Sequence, residues 1–144
     1  MFLAITSVGW GFNWPVTKYL LSELPPLILR GATGVDRNAA PDILAATTEL
    51  MEEIMARNAL VPASVVSCIF TATQDLDAEF PAVAARAVGF DAVPLLCARE
   101  IPVQGAMPRV IRVLIHYHAP DDHVPTHVYL GEARALRTDL SHAQ

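Results

Sequence analysis

Arg112 stands at the centre of Pro108-Arg109-Val110-Ile111-Arg112-Val113-Leu114-Ile115, an otherwise apolar run whose alternation fits a β-strand. Val110, Arg112, Leu114 and His116 fall on one face, with Ile111, Val113, Ile115 and Tyr117 on the other, so both faces are expected to be largely buried. A guanidinium does not discharge itself by giving up a proton. A partly dry one therefore needs an anion, either an internal Asp or Glu or the carboxylate or phosphate oxygen of a ligand, and the run itself leaves both open.

The other polar residues carried by apolar strands are Arg30, Glu100, Tyr129 and Arg137, with Arg86 on a helix nearby and Cys97 at a strand end. Together they read as a carboxylate-binding pocket. Nine arginines and no lysine follow residue 29. Guanidinium forks suit planar carboxylates, although a codon bias would produce the same imbalance. His116 and His118 alternate onto one strand face with His123 and His127 behind them, a weak metal pattern, because His123 sits in an Asp121-Asp122 turn that reads as solvated loop. Asp75, Asp77 and Glu79 form an acidic cluster that on its own leaves a metal or glycosidase reading open.

These side chains need a scaffold, and 144 residues, 53% of them hydrophobic, suffice for one domain with a core. A net charge of -5 with no basic stripe excludes a nucleic-acid partner and makes any bound anion small. Cys68 and Cys97 lie in apolar runs without CxxC spacing, which fits free thiols in a reducing, cytoplasmic setting.

Leu27 to Val35 reads as a strand. A helix comes next, with Pro41 in its first turn, a stripe of Ile43, Leu44, Thr47, Leu50, Met51, Ile54 and Met55, and a stop near Asn58. Val65 to Thr71, Val93 to Cys97 and Arg109 to His118 read as strands. Phe80 to Arg86 begins a short helix with Gly89 as its stop, and Thr126 to Arg137 reads as a final strand or hairpin kinked near Gly131. The class is α+β.

Arg30-Gly31-Ala32-Thr33, Thr71-Ala72-Thr73-Gln74-Asp75-Leu76, Phe80-Pro81-Ala82, Val93-Pro94-Leu95, Arg109-Val110-Ile111-Arg112-Val113, His127-Val128-Tyr129-Leu130 and Leu136-Arg137-Thr138-Asp139-Leu140 occur in order. Over about residues 30–140 the chain resembles the small, monofunctional, trimeric bacterial chorismate mutases. The resemblance implies a pseudo α/β barrel built as a homotrimer, with a mixed sheet, two main helices per chain and clefts at subunit interfaces. It implies rearrangement of chorismate, a dianion, to prephenate in aromatic amino acid biosynthesis, with no cofactor and no metal. Carried over by motif position, Arg112 would donate to the breaking ether oxygen, Arg30 would hold a carboxylate, and Tyr129 would assist by hydrogen bond. Glu100 with Cys97 would meet the ring hydroxyl, Arg137 would join the substrate pocket, and Phe80 and Arg86 would come from the neighbouring subunit. The competing expectation is an inactive, membrane-associated fusion or a carboxylate-binding remnant of the same fold.

The match departs at its start. The family usually carries an arginine three residues before the one matching Arg30, where this chain has Leu27. Trp10-Gly11-Phe12-Asn13-Trp14-Pro15-Val16-Thr17-Lys18 and Leu24-Pro25-Pro26 resemble the first membrane helix of EamA-type drug/metabolite transporters instead. The chain is accordingly divided into an apolar extension, 1–26, a chorismate mutase domain, 27–140, and a short tail, 141–144. Any membrane contact is expected only through residues 1–24. Leu27, Ile28 and Leu29 remain compatible with a strand that points Arg30 inward. Deleting residues 1–24 is expected to leave folding intact and turnover unchanged or raised, as measured by circular dichroism and chorismate absorbance; loss of folding would contradict this division.

Overall fold

The computed structural model describes residues 26–139. Five strands form one mixed sheet in the order β3-β2-β4-β1-β5: β1 Leu27–Gly34, β2 Val65–Ala72, β3 Leu95–Arg99, β4 Val110–Tyr117 and β5 Val128–Leu130. The central strand β4 runs antiparallel to β1 and β2, whereas the outer pairs β1–β5 and β2–β3 are parallel. Parallel neighbours need long crossovers, which the helices supply.

Helix α1, Ala40–Asn58, forms where the sequence places its stripe, with proline in the first turn and Asp42 and Arg57 at the ends their charges favour. It ends at Ala59, whose left-handed backbone (φ 48°) lets the next amide, that of Leu60, also reach back to the Met55 carbonyl at 3.0 Å. Ile43, Leu50, Met51 and Ile54 on this helix pack over Ile111, Val113, Ile115 and Tyr117 of β4 and Cys68 and Phe70 of β2. Helix α2, Pro81–Ala85, continues through a wide turn, Arg86–Phe90, that stops at Gly89 (φ 105°). Asn58, buried at the end of α1, donates to the Thr126 carbonyl at 2.9 Å and accepts from the Thr126 amide at 2.7 Å. This pair of bonds ties the strand-connecting segment 118–127 to the helix.

Three expectations need correction. The stretch Thr126 to Arg137 is not one strand: β5 is three residues long, and Gly131, at φ 54°, turns the chain out of the sheet into a 3-10 segment, Gly131–Arg137. Strand β3 begins two residues later than Val93, because Val93 is already bonded back to Phe90 in the turn and Pro94 has no amide to give. The two faces of β4 are also unequal. Ile111, Val113, Ile115 and Tyr117 are buried under α1, whereas Arg112, Leu114 and His116 are only half-buried within one chain. The apolar extension assigned to residues 1–26 lies almost wholly outside the described residues, as does the tail. Among the described residues no helix is long and apolar enough to cross a membrane.

Gly31 of β1 lies tight against α1. A Cβ there would meet Ile54 Cδ1 at 2.8 Å, Val113 Cγ1 at 3.1 Å and Leu50 Cδ1 at 3.2 Å. Gly31→Ala is therefore expected to destabilise the fold by ~1–3 kcal/mol through overpacking, read as a lower urea midpoint at unchanged slope; a variant as stable as the parent would show that the helix retreats freely.

Candidate active site

Arg112 projects from the sheet face that α1 does not cover. On β4 it lies opposite Ala32 of β1 and Thr71 of β2, so all three side chains share that face. Its Nη1 donates to Glu100 Oε2, and the Thr71 hydroxyl donates to Glu100 Oε1 at 2.7 Å. Glu100 reaches this point because its amide bonds the Ala72 carbonyl at 2.9 Å, extending the β2–β3 ladder one residue past β3. Both oxygens of the acid are thus occupied, and the Glu100 side chain is 18% exposed against 37% for that of Arg112. The arginine has its internal anion, but that bond uses one nitrogen of a group with five N–H donors.

The rest of the guanidinium borders a cleft of about 400 Å³ lined by Arg30, Thr71, Arg112, Tyr129, Leu136 and Arg137, among others. Arg30 arrives one β1 position before Gly31, opposite Leu114, so the residue that faces the helix and the residue that faces the cleft are adjacent in sequence. The strand forms as expected and sends Arg30 to the cleft, where its side chain is exposed. Tyr129 pairs with Ala32 across β1–β5 and is buried beside Ala32, Val110 and Ala133. Arg137 arrives on the 3-10 segment and grips Asp139 with two bonds, 2.9 and 2.8 Å. That carboxylate, with a smaller contribution from Tyr129, favours the charged guanidinium. Among the described residues Arg30 has no carboxylate within ion-pair distance. Its neighbour is His127, whose imidazole is held below its ordinary pKa by burial and then by the charges of Arg30 and Arg137.

The start of β4 is pinned so that Arg112 keeps its aim. Arg109 adopts a left-handed backbone, φ 49°, that a non-glycine residue takes only when held there. The Asp75 carboxylate accepts its amide at 3.1 and 3.0 Å, its Nε donates to the Val35 carbonyl at 3.1 Å, and Val35 returns an amide bond at 2.8 Å. Burial works to raise the Asp75 pKa, but the Thr73 hydroxyl, the Arg109 amide and the Arg109 charge outweigh it and hold the carboxyl below its ordinary value.

The remaining expected site residues lie elsewhere in the chain. Cys97 pairs with Phe70 of the core, three positions from Glu100, and an odd separation along an extended chain puts the two on opposite faces. Within one chain, then, Cys97 does not stand with Glu100. It lines a second opening of about 320 Å³ with Phe80, which is 66% exposed. Arg86 is exposed at the end of α2 and lines neither opening. The histidines are dispersed: His116 is bonded to Ser67, His123 to Tyr117 and His127 to Arg30.

The sequence model of the family described as chorismate mutase type I matches residues 28–140. The chain belongs to that family. Among type I chorismate mutases, chorismate mutase AroH of Thermus thermophilus is 46% identical over 119 residues, an alignment spanning 81% of this chain and 97% of that one. Chorismate mutase AroH of Bacillus subtilis (strain 168) is 40% identical over 116 residues, spanning 78% and 91%. The solved structure of a chorismate mutase from Clostridium thermocellum superposes with a TM-score of 0.73 at 42% identity, covering 76% of this chain and 98% of that chain.

For a member of the type I chorismate mutases, the cleft gathers Arg30, Arg112, Tyr129 and Arg137, four of the residues singled out from the sequence, and Glu100 joins them through its bond to Arg112. Thr71 was missed as a partner of Glu100, and His127 as a partner of Arg30. Thr71 carried a signal, since it opens one of the motif stretches. His127 carried the same kind of signal, since it opens His127-Val128-Tyr129-Leu130, but nothing in that stretch tells that its ring meets a strand 97 residues away.

Proposed function

We infer that this chain is a chorismate mutase, and we propose that the cleft beside Arg112 binds chorismate and carries its rearrangement to prephenate. The observation that carries the reading is a guanidinium fixed by Glu100 and Thr71 with free donors facing an open cleft in which Arg30 and Arg137 supply further positive charge. A Claisen rearrangement breaks one carbon–oxygen bond as it forms one carbon–carbon bond, with no nucleophile and no proton transfer. Holding the substrate folded and stabilising charge on the departing ether oxygen are sufficient.

In this proposal Arg112 donates to that oxygen. Its pairing with Glu100 costs nothing at the moment of reaction, because the orientation is set beforehand. Arg30 takes a substrate carboxylate, Arg137 adds charge at the same end, and Tyr129 contributes a hydrogen bond from a ring locked in the β1–β5 seam. Glu100, already accepting from Arg112 and Thr71, stands where a ring hydroxyl can reach it.

Cys97, Phe80 and Arg86 enter from a second copy of the chain. The support is the sheet face around the cleft, which leaves Ile28, Val66 and Leu96 exposed at 49%, 45% and 58%, together with the exposed Phe80 at the separate opening that Cys97 lines. A homotrimer with its clefts closed by neighbouring copies covers this apolar surface and encloses the dianion. The catalytic unit of the proposal is residues 27–140, acting in the cytoplasm, with 1–26 as an extension outside the catalytic fold.

Purified chain is expected to consume chorismate, followed by its absorbance. Arg112→Ala is expected to lower kcat/KM by about 10²-fold or more while unfolding remains cooperative; equal turnover by the two proteins would end the enzyme reading. Arg112→Ala and Arg86→Ala, each impaired alone, are expected to recover activity when unfolded and refolded as a mixture, since some sites then draw both intact residues from different chains. A mixture no more active than the sum of its parts would show that each chain builds its site alone.

A further inference from the structure

Arg30, which lines the cleft, makes a polar contact behind it that cannot be complete as it stands. The Arg30 amide donates to His127 Nδ1 at 3.2 Å, and His127 Nε2 lies 3.3 Å from Nη2 of the same arginine. A neutral imidazole has one lone pair and one N–H. With the lone pair on Nδ1 taken by the Arg30 amide, the proton belongs on Nε2, where it faces another donor. Two donors at that separation do not bond each other; they are placed to share an acceptor.

We propose that His127 is a substrate-binding residue whose Nε2–H converges with the Arg30 guanidinium on one carboxylate oxygen of the bound dianion. The proposal rests on the chorismate mutase reading and deepens it by naming a second donor for that carboxylate. Among the described residues no carboxylate occupies the shared position: Arg30 is in no ion pair, and Asp139, just past the 3-10 segment, is engaged by both its oxygens with Arg137. The ring is also anchored on either side. Thr126 is clamped twice by the buried Asn58, and Val128 is paired with Gly31 in the β1–β5 ladder.

The charged groups facing the imidazole are Arg30 from β1 and Arg137, with its partner Asp139, from the segment after β5. Burial and the two cations disfavour the imidazolium. The second proton would have to enter at Nδ1, displacing the Arg30 amide. The group therefore serves as a neutral donor of fixed tautomer, in the manner of a carboxylate-binding amide more than of a titrating histidine.

Two variants of the full chain separate the donor from the acceptor end. His127→Asn keeps an oxygen near the Nδ1 position to accept the Arg30 amide but has nothing at Nε2, whereas His127→Gln carries an amide N–H toward the Nε2 position. Asn is expected to raise KM for chorismate about 10-fold or more with kcat within about 2-fold, the pattern of lost binding common to ground and transition states, and Gln to restore most of the loss. An Asn variant with the parent's KM, or Gln as impaired as Asn, overturns the proposal. A parent chain without turnover overturns the chorismate mutase reading instead. In that case succinate titrated into 15N-histidine-labelled chain decides this inference: an Nε2–H tautomer whose resonance shifts on binding supports it, and an Nδ1–H tautomer or an unmoved resonance overturns it.

Discussion

The ion pair between Arg112 and Glu100 is the constraint around which the cleft is arranged. A guanidinium on the central strand of a sheet cannot be neutralised by losing its proton, so the fold must bring an anion to it. Glu100 does so from the far edge of the sheet, two strands away, and Thr71 on the intervening strand closes the bonding of the acid. Holding one side of a five-donor group leaves the other side aimed and desolvated in part. Structural pairing and substrate binding, alternatives when the strand is considered alone, become in the proposed function two uses of the same side chain.

Register explains most of the remaining site. Alternation on β1 sends Gly31 against α1 and its neighbour Arg30 to the cleft, and the tight contact at Gly31 keeps that assignment from slipping by a residue. The strained backbone at Arg109, held by Asp75 and Val35, fixes where β4 begins and hence which of its residues face the cleft. The Gly31 Cα hydrogens and the Asp75 carboxylate make no bond to a substrate in this scheme, yet both residues set the geometry of its site.

Much of this was legible in the sequence for definite reasons. Helix α1 announced itself by its apolar stripe and its proline, β4 by its alternation, and the turn at Gly89 by the one residue type that enters it without strain. The final segment was misread because Val128, Tyr129 and Leu130 are strand formers, and only the left-handed Gly131 diverts the next residues into a 3-10 turn. The partition of the site was less accessible. Cys97 and Glu100 look like neighbours in the text, but strand parity, fixed by the pairing of Cys97 with Phe70, separates them across the sheet. The half-buried face of β4 was likewise invisible, since apolar residues on both faces give the same pattern whether a helix or another copy of the chain covers them.

The β1–β5 pairing joins the two ends of the described fold: Gly31, Ala32 and Thr33 lie against Val128, Tyr129 and Leu130. A contact of such long sequence separation is among the slowest to form, because nearly the whole intervening chain must be confined first. During synthesis, α1 and the antiparallel pairing of β2 with β4 can assemble while β5 is still unmade. The nascent chain therefore exposes that edge of β1 to solvent until β5 emerges, and only then does Tyr129 join Arg30 at the cleft.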